Sequence, residues 1–423
     1  MNLQQAMTVL DQAALFPKKA GLEHMEALLG ALDHPERSLR FVHIAGTNGK
    51  GSTAAFLSHA LADQGYRTGL FTSPYIHRFH ERIQVNGSPI GDGDLCRILE
   101  RVCAAAGRLC SPATFFELVT ALGLCYFLEQ RCDIVVLEVG LGGRLDCTNA
   151  IPCPDVAVIA HIGLDHTAIL GDTLEQIAAE KAGIIKPGGD VVLLAQTPGV
   201  QKVVQHACTA ANAKLHIAQA PPFRMEGERA VLLLPWGELP LGLPGCFQVQ
   251  NAALALKTLT ILANKGFPVG EEALREGFSK LCWPGRFELL QRSPFFLLDG
   301  AHNPQGVTAL LESLQAVFPR QTQQQRCIFL AGLMADKDHL NCLALAAPYA
   351  SAMVAIASPE PRALPPEALA REMGRFCSRV YTAASPEQGV ALALSLAEPE
   401  DLVCAFGSLH LCGPIRDAVL RQS

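Results

Sequence analysis

Lys50 stands between two glycines at the end of an apolar run, Phe41-Val-His-Ile-Ala-Gly46-Thr-Asn-Gly49-Lys50-Gly51-Ser52-Thr53, and that setting suits it to phosphate. Glycines let successive backbone N–H groups converge on an anion, the lysine adds a point charge, and a helix opening near Ser52 turns its positive dipole end to the same spot. The usual P-loop has a glycine six residues before the lysine, where this chain has Ile44, and Ser or Thr directly after it, where this chain has Gly51. The loop is therefore a shortened variant, in which Ser52 or Thr53 has to supply the hydroxyl to a metal. A glycine-rich turn without a ligand is the bland alternative, but such a turn has no need of a lysine between two glycines.

Three further polar residues fall at the ends of apolar stretches: Ser73 after Thr68 to Thr72, Glu138 in Asp133 to Val139, and His166 after Asp155 to Ile162. In an open parallel sheet ligands gather beyond the carboxyl ends of the strands. A hydroxyl, a carboxylate and an imidazole beside the Lys50 loop suggest a divalent metal bridging nucleotide phosphates. Histidine is an unusual magnesium ligand, and a helix-capping Ser73, a strand-end Glu138 and a surface His166 are the plain readings of the same residues.

The elements that must position these groups alternate in type. Residues 1–40 read as helical and amphipathic, a lid or edge over a sheet. Strand, loop, a helix from Ser52 to Gln64 and a second strand make a parallel crossover unit. Thr114-Phe115-Phe116-Glu117 opens a helix to Gln130, and the stretch Asp133 to Val139 is apolar on both faces, as a central parallel strand is. Glu138 to Asp146 is a charged glycine turn, and Thr173 with Gln176 forms a capping box for the helix carrying Glu180 and Lys181. Between 190 and 245 only a strand at Val191 to Ala195 and hairpins around Arg229 to Leu243 are legible. The pattern restarts at Trp283-Pro-Gly-Arg286-Phe-Glu288, with strands at Phe295 to Leu298, Cys327 to Ala331, Ala352 to Ala357 and Leu402 to Phe406 and no second phosphate loop. The expected fold is α/β: a P-loop, doubly wound parallel-sheet domain over 1–282 and a smaller, Rossmann-like α/β domain over 283–423.

Composition agrees with two packed domains. The chain has 423 residues, too many for one ordinary core, and 49% of them are hydrophobic against 17% charged. A net charge of −6 gives no basic footprint for nucleic acid, so phosphate binding has to be local. No apolar run is long enough to span a bilayer, and the N-terminus lacks the apolar core of a signal peptide, so a soluble, cytoplasmic protein is expected. A monomer without nucleic-acid or membrane partners is the expected state. The fifteen cysteines are odd in number and include no Cys-x-x-Cys pair, which reads as reduced, mostly buried thiols. Cys96, Cys103 and Cys110 recur every seven residues and read as a packing stripe on one helical face rather than a metal site.

Ala-Gly-Thr-Asn-Gly-Lys-Gly-Ser, Thr-Ser-Pro-Tyr, Glu-Arg-Ile-Gln-Val-Asn-Gly, Leu-Glu-Val-Gly-Leu-Gly-Gly-Arg-Leu-Asp, Ile-Gly-Leu-Asp-His, Glu-Lys-Ala-Gly-Ile, Pro-Gly-Arg-Phe-Glu, Asp-Gly-Ala-His-Asn-Pro and Asp-Lys-Asp occur in this order. Together they resemble the folylpolyglutamate synthases and bifunctional dihydrofolate synthases, the folate branch of the Mur ligase superfamily, across nearly the whole chain. The resemblance implies an ATP-dependent amide ligase. A carboxylate of the substrate attacks the γ-phosphate of ATP, and the amine of L-glutamate displaces phosphate from the acyl phosphate.

Carried over by residue, the resemblance gives Gly49, Lys50, Gly51 and Ser52 to the ATP phosphates, with Asn251, Arg286, Asp299 and His302 as further ATP contacts. It gives Ser73, Glu138 and His166 to Mg²⁺. Lys181 matches the lysine that this family carbamylates, whereas residue type alone reads it as a solvated helix lysine. Carbamylation needs the neutral amine, so its pKa has to be depressed. Lys50, Lys181, His166 and Arg286 are the implied catalytic groups, and Thr114, Phe115, Phe116 and Asp146 the implied pterin contacts; Phe115 and Phe116 suit a helix core equally well. Cys147, where alanine is usual, and Tyr75, where histidine is common, depart from the pattern. The alternatives are a pure folylpolyglutamate synthase, a Mur-type ligase of cell-wall synthesis, for which about 40 residues ahead of the loop leave too little room, and a nucleotide switch without ligase chemistry.

Overall fold

The computed structural model describes residues 1–13, 21–358, 360 and 362–422. Eight strands form the first sheet: β1 (Phe41–Ala45), β2 (Thr68–Phe71), β3 (Ile83–Val85), β4 (Ser88–Pro89), β5 (Ile134–Glu138), β6 (Val156–Ile159), β7 (Asp190–Leu194) and β8 (Lys214–Ala218). Their order is β4-β3-β2-β5-β1-β6-β7-β8, parallel from β2 to β8 and antiparallel at the β3–β4 edge. The central pair β1 and β5 is buried at every position, which is why both read as continuous apolar runs. A small antiparallel sheet follows, built from β9 (Phe223–Glu226), β10 (Arg229–Leu234) and β11 (Gly237–Pro244).

The second domain holds β12 (Glu288–Arg292), β13 (Phe295–Leu298), β14 (Cys327–Ala331), β15 (Ala350–Ile356), β16 (Val380–Ala383) and β17 (Leu402–Phe406), in the order β12-β13-β17-β14-β15-β16. All its pairings are parallel except β12 with β13. The α/β architecture expected from the sequence is the observed one.

Helices cover both faces of the first sheet. On one face the helices Lys50–Asp63, Gln248–Ala263 and Glu271–Ser279 share a core in which the Phe56 and Phe278 rings stack at 4.7 Å. Burial of each such ring contributes roughly 1.5–3 kcal/mol. On the other face the helices Leu3–Gln12, Glu23–Gly30, Asp92–Ala106 and Phe115–Glu129 pack around Leu10, Leu28, Leu99 and Leu122. The N-terminal region is thus helical where it is described, and packs on the sheet; residues 14–20 of that expected segment lie outside the described residues.

Three expectations need correction. The helix after the phosphate loop starts at Lys50, two residues early, because Gly49 takes the left-handed conformation (φ 85°) and becomes the N-cap. The segment after β7 carries a helix, Pro198–Ala210, and the strand β8 that the sequence left unassigned. The helix buries only Val200, Val204 and Cys208, a narrow stripe, and β8 is a partly exposed edge strand without an apolar run. The cysteine stripe also fails: the helix ends at Ala106, so Cys110 lies beyond it and is exposed. All fifteen cysteines are free, and eight are buried.

Candidate active site

The phosphate loop leaves β1 at the middle of the sheet and is pinned from below. The Thr47 and Asn48 amides donate to the carbonyl oxygen of His161, at 2.7 and 3.2 Å, and the Thr47 hydroxyl donates to that of Gly163 at 3.0 Å. Lys50, first residue of its helix, donates to the Thr47 carbonyl at 3.3 Å and stands 3.9 Å from the Glu138 carboxylate at the end of β5. Glu138 is buried and accepts from the Ser73 amide at 3.1 Å. Burial pushes its carboxyl up, against the pull of Lys50, the Ser73 amide, Arg286 and Arg82.

Lys181 reaches the loop from the helix Leu174–Ala182. It is 4% exposed, donates to the Gly46 carbonyl at 2.8 Å, and has its pKa lowered to about 7 by burial and by Lys50, against the pull of Asp165 and Asp146. The surface-lysine reading is overturned, because the Gly140–Gly143 turn lies directly against this helix. A Cβ on Gly143 would come within 2.9 Å of the Glu180 and Lys181 carbonyl oxygens, so only glycine permits the approach.

Across the cleft the second domain supplies Arg286, Asp299 and His302. Asp299 is buried and spends its oxygens on the Phe287 and Ala301 amides, at 2.8 and 2.7 Å; burial pushes its carboxyl up, and Arg286 is the main charge opposing that. It therefore shapes the turn that presents Arg286 and His302. His302 Nε2 lies 3.5 Å from Asp165 of the first domain.

Asp165 is a hub that the sequence left without a role. It pairs with Lys337 of the Asp-Lys-Asp run and accepts from the Asn303 amide at 3.1 Å. Burial works against its charge, yet the hydrogen bond with His302 and the charge of Lys337 hold it far below the usual carboxylate range. Lys337 also lies 3.0 Å from His166 Nε2, and burial together with Lys337 lowers the His166 pKa to about 4, so the ring is neutral at pH 7. The signal for this hub was present, since Asp165 and Lys337 are charges in short runs that end strands.

One cavity of about 680 Å³ joins these groups. Gly49, Lys50, Gly51, Ser52, Ser73, Glu138, His166, Lys181, Asn251, Arg286, Asp299 and His302 all line it. Ser52 is buried 3.4 Å from the Gln248 amide, and Gln248 in turn accepts from Asn251 at 2.8 Å. Thr114, Phe115, Phe116 and Asp146 do not line it. Thr114 caps its helix in a reciprocal bond with Glu117, and Asp146 caps the Cys147–Ala150 turn through Thr148. The Phe116 ring packs on Gly140, which is in the cavity wall, and on Phe71 at 6.1 Å. His24, from the helix Glu23–Gly30, joins the same corner through Glu117 at 2.9 Å.

Mg²⁺ fits part of this donor set. The buried Glu138 carboxylate carries a desolvation cost that its neighbours offset only in part and that a hard cation would offset further, and Ser73 adjoins it. His166 opens on the same cavity as a neutral acceptor, engaged by Lys337. Among the described residues no three His, Cys, Asp or Glu side chains cluster as a metal cage.

A parallel sheet with a phosphate loop, facing a second α/β domain that contributes Arg286 and His302 across a cleft, defines an ATP-dependent ligase. Residues 44–259 match the Mur ligase middle domain and residues 285–409 the Mur ligase glutamate ligase domain. The chain is 35% identical to a dihydrofolate synthase/folylpolyglutamate synthase of Bacillus subtilis, over 98% of both chains, and 33% identical to a folylpolyglutamate synthase of Lacticaseibacillus casei, over 99% of both. A solved Mycobacterium tuberculosis folylpolyglutamate synthase complexed with ADP and AMPPCP superposes with a TM-score of 0.90 at 31% identity, covering 99% of this chain and 98% of that one. The chain belongs to the folylpolyglutamate synthase/dihydrofolate synthase family of the Mur ligases.

Proposed function

We propose that this enzyme joins L-glutamate to both dihydropteroate and reduced folates, at the single centre between Lys50 and Arg286. The observation that carries the ligase chemistry is the convergence of Lys50, Glu138 and Lys181 with Arg286 and His302 in one cleft. ATP lies with its phosphates along Gly49–Ser52 and its remaining contacts at Asn251 and Arg286. The carboxylate oxygen of the acceptor attacks the γ-phosphorus and ADP departs. The glutamate amine then attacks the acyl carbon, the bond to phosphate breaks, and the amine proton is released. Lys50 and Arg286 face the negative charge that gathers on the phosphoryl oxygens. Ser73, Glu138 and His166 would hold Mg²⁺, which neutralises phosphate charge when bound. Closure of the two domains over the cleft protects the acyl phosphate from water.

The resemblance of the Thr114–Glu117 run and the N-terminal segment to those of bifunctional members supports the bifunctional reading, as does the name of the Bacillus subtilis relative. We assign domain limits of 1–282 and 283–423, and a monomeric, cytoplasmic enzyme without nucleic-acid or membrane partners. The separate six-stranded sheet that starts at Glu288 supports the domain limits, and the net charge of −6 supports a chain without a basic footprint for nucleic acid. ADP release measured separately with dihydropteroate and with tetrahydrofolate tests the function. Glutamate-dependent release with both is expected; release with the folate alone leaves a polyglutamylating enzyme, and release with neither overturns the ligase.

A further inference from the structure

Arg82 follows the loop that starts at Ser73–Pro74. It is 8% exposed, its carbonyl accepts from the Thr72 amide at 2.9 Å, and its guanidinium carbon lies 5.2 Å from the Tyr75 ring centroid and 5.4 Å from that of Phe115. No described residue hydrogen-bonds or ion-pairs with this guanidinium: Nε is sealed from solvent without a partner, whereas Nη1 and Nη2 are not sealed. The neighbouring carboxylate, Glu81, is spent on the Ile76, His77 and Arg78 amides, at 2.8 to 3.1 Å.

A cation buried this far is costly unless an anion meets it. Lys337 has Asp165, and Lys181 has a lowered pKa. Arg82 has no such anion. Burial lowers its pKa only to about 10, against the pull of Tyr75 and Glu138, so it stays charged at pH 7. Ser73 and Pro74, at the start of the loop that precedes Arg82, line the cleft, and the charge of Arg82 is felt at Glu138 in the cleft and at His410 of the second domain. Two aromatic rings and an unpaired fork of N–H donors are complementary to an aromatic ring bearing a carboxyl group.

We propose that Arg82 binds the carboxylate end of the acceptor, an aryl carboxylate or its glutamyl amide, and so holds that end on the Ser73 side of the cleft. The inference rests on the ligase reading and names a residue that positions the acceptor within it. The test is binding of pteroate, and of the same pterin-aniline lacking the carboxyl group, to wild type, Arg82→Met and Arg82→Lys, with ATP affinity as the control for folding. Arg82→Met is expected to bind pteroate about 10–100-fold more weakly, to bind the decarboxylated compound as wild type does, and to keep its ATP affinity, with Arg82→Lys recovering part of the loss. Equal weakening toward both compounds, or loss of ATP affinity along with pteroate, makes Arg82 a packing residue and overturns the inference. A wild type that turns over folates beside an Arg82→Met variant with unchanged acceptor KM overturns the inference alone. A wild type that releases no ADP with either acceptor overturns the ligase reading with it.

Discussion

Asn48 and Asn303 exchange side-chain amide hydrogen bonds across the cleft, 3.1 Å in each direction. Asn48 belongs to the phosphate loop, and Asn303 caps the helix Pro304–Val317 of the second domain. The same Asn303 amide group donates to Asp165, which also holds Lys337 and faces His302. The phosphate loop and the second domain are therefore joined by one polar network.

Asp165→Asn tests that network. It leaves Lys337, 9% exposed at its side chain, without its anion, and removing one partner of a buried pair costs about 3–5 kcal/mol. Separation of the domains relieves that cost by rehydrating the ammonium. The expected outcome is a larger radius of gyration in small-angle scattering, with lowered turnover and unchanged far-ultraviolet circular dichroism. A variant as compact as wild type and as active refutes the latch.

Lys50→Ala removes the point charge proposed to face the transferred phosphoryl group. Turnover is expected to fall by at least about 10²–10³-fold and ATP binding to weaken, with the fold intact, because the loop lies over an independent core. Near-normal activity sinks the assignment of the cradle.

His43 gives a pH dependence whose sign follows from its burial. It sits in β1 beside the Thr148 hydroxyl at 2.8 Å, and burial together with the charge of Lys186 lowers its pKa to about 3. The folded state keeps the ring neutral while the unfolded chain takes up a proton below about 6.5. Its contribution to stability is thus present above pH 6.5 and lost as pH falls toward 3, at up to about 1.4 kcal/mol per unit. Between pH 6.5 and 4.5, wild type should lose stability to urea more steeply than His43→Leu. Parallel slopes for the two proteins refute the buried neutral ring.

The centres of the two parallel sheets were legible in the sequence because β1, β5 and β6 of the first and β17 of the second are apolar runs bounded by turns, and the glycines with Lys50 marked the site. The edge strands β8, β12 and β16 were not, since a half-exposed strand leaves no continuous run. Lys181 shows the limit for side chains. Its burial comes from the Gly143 turn 38 positions earlier in the chain, and no local pattern around Lys181 records that contact. Asp165 and Lys337 were visible as charged residues after strands, but their pairing depends on how the two domains meet.

Lys181 supplies the last prediction. Its pKa of about 7 leaves the amine substantially neutral at pH 7, the form that adds to CO₂ with loss of a proton to give a carbamate. The unfolded chain keeps this proton up to about pH 10.4, so the folded state binds fewer protons between pH 7 and that value, and stability rises with pH across the window. In ¹³C-bicarbonate buffer a carbamate resonance is expected that grows as pH rises through 7, is absent in Lys181→Arg, and parallels the activity. Stripping CO₂ should lower wild-type turnover, and added bicarbonate should restore it. A wild type that gives no such resonance, with unmodified mass and activity indifferent to CO₂, shows that the buried amine works uncarbamylated.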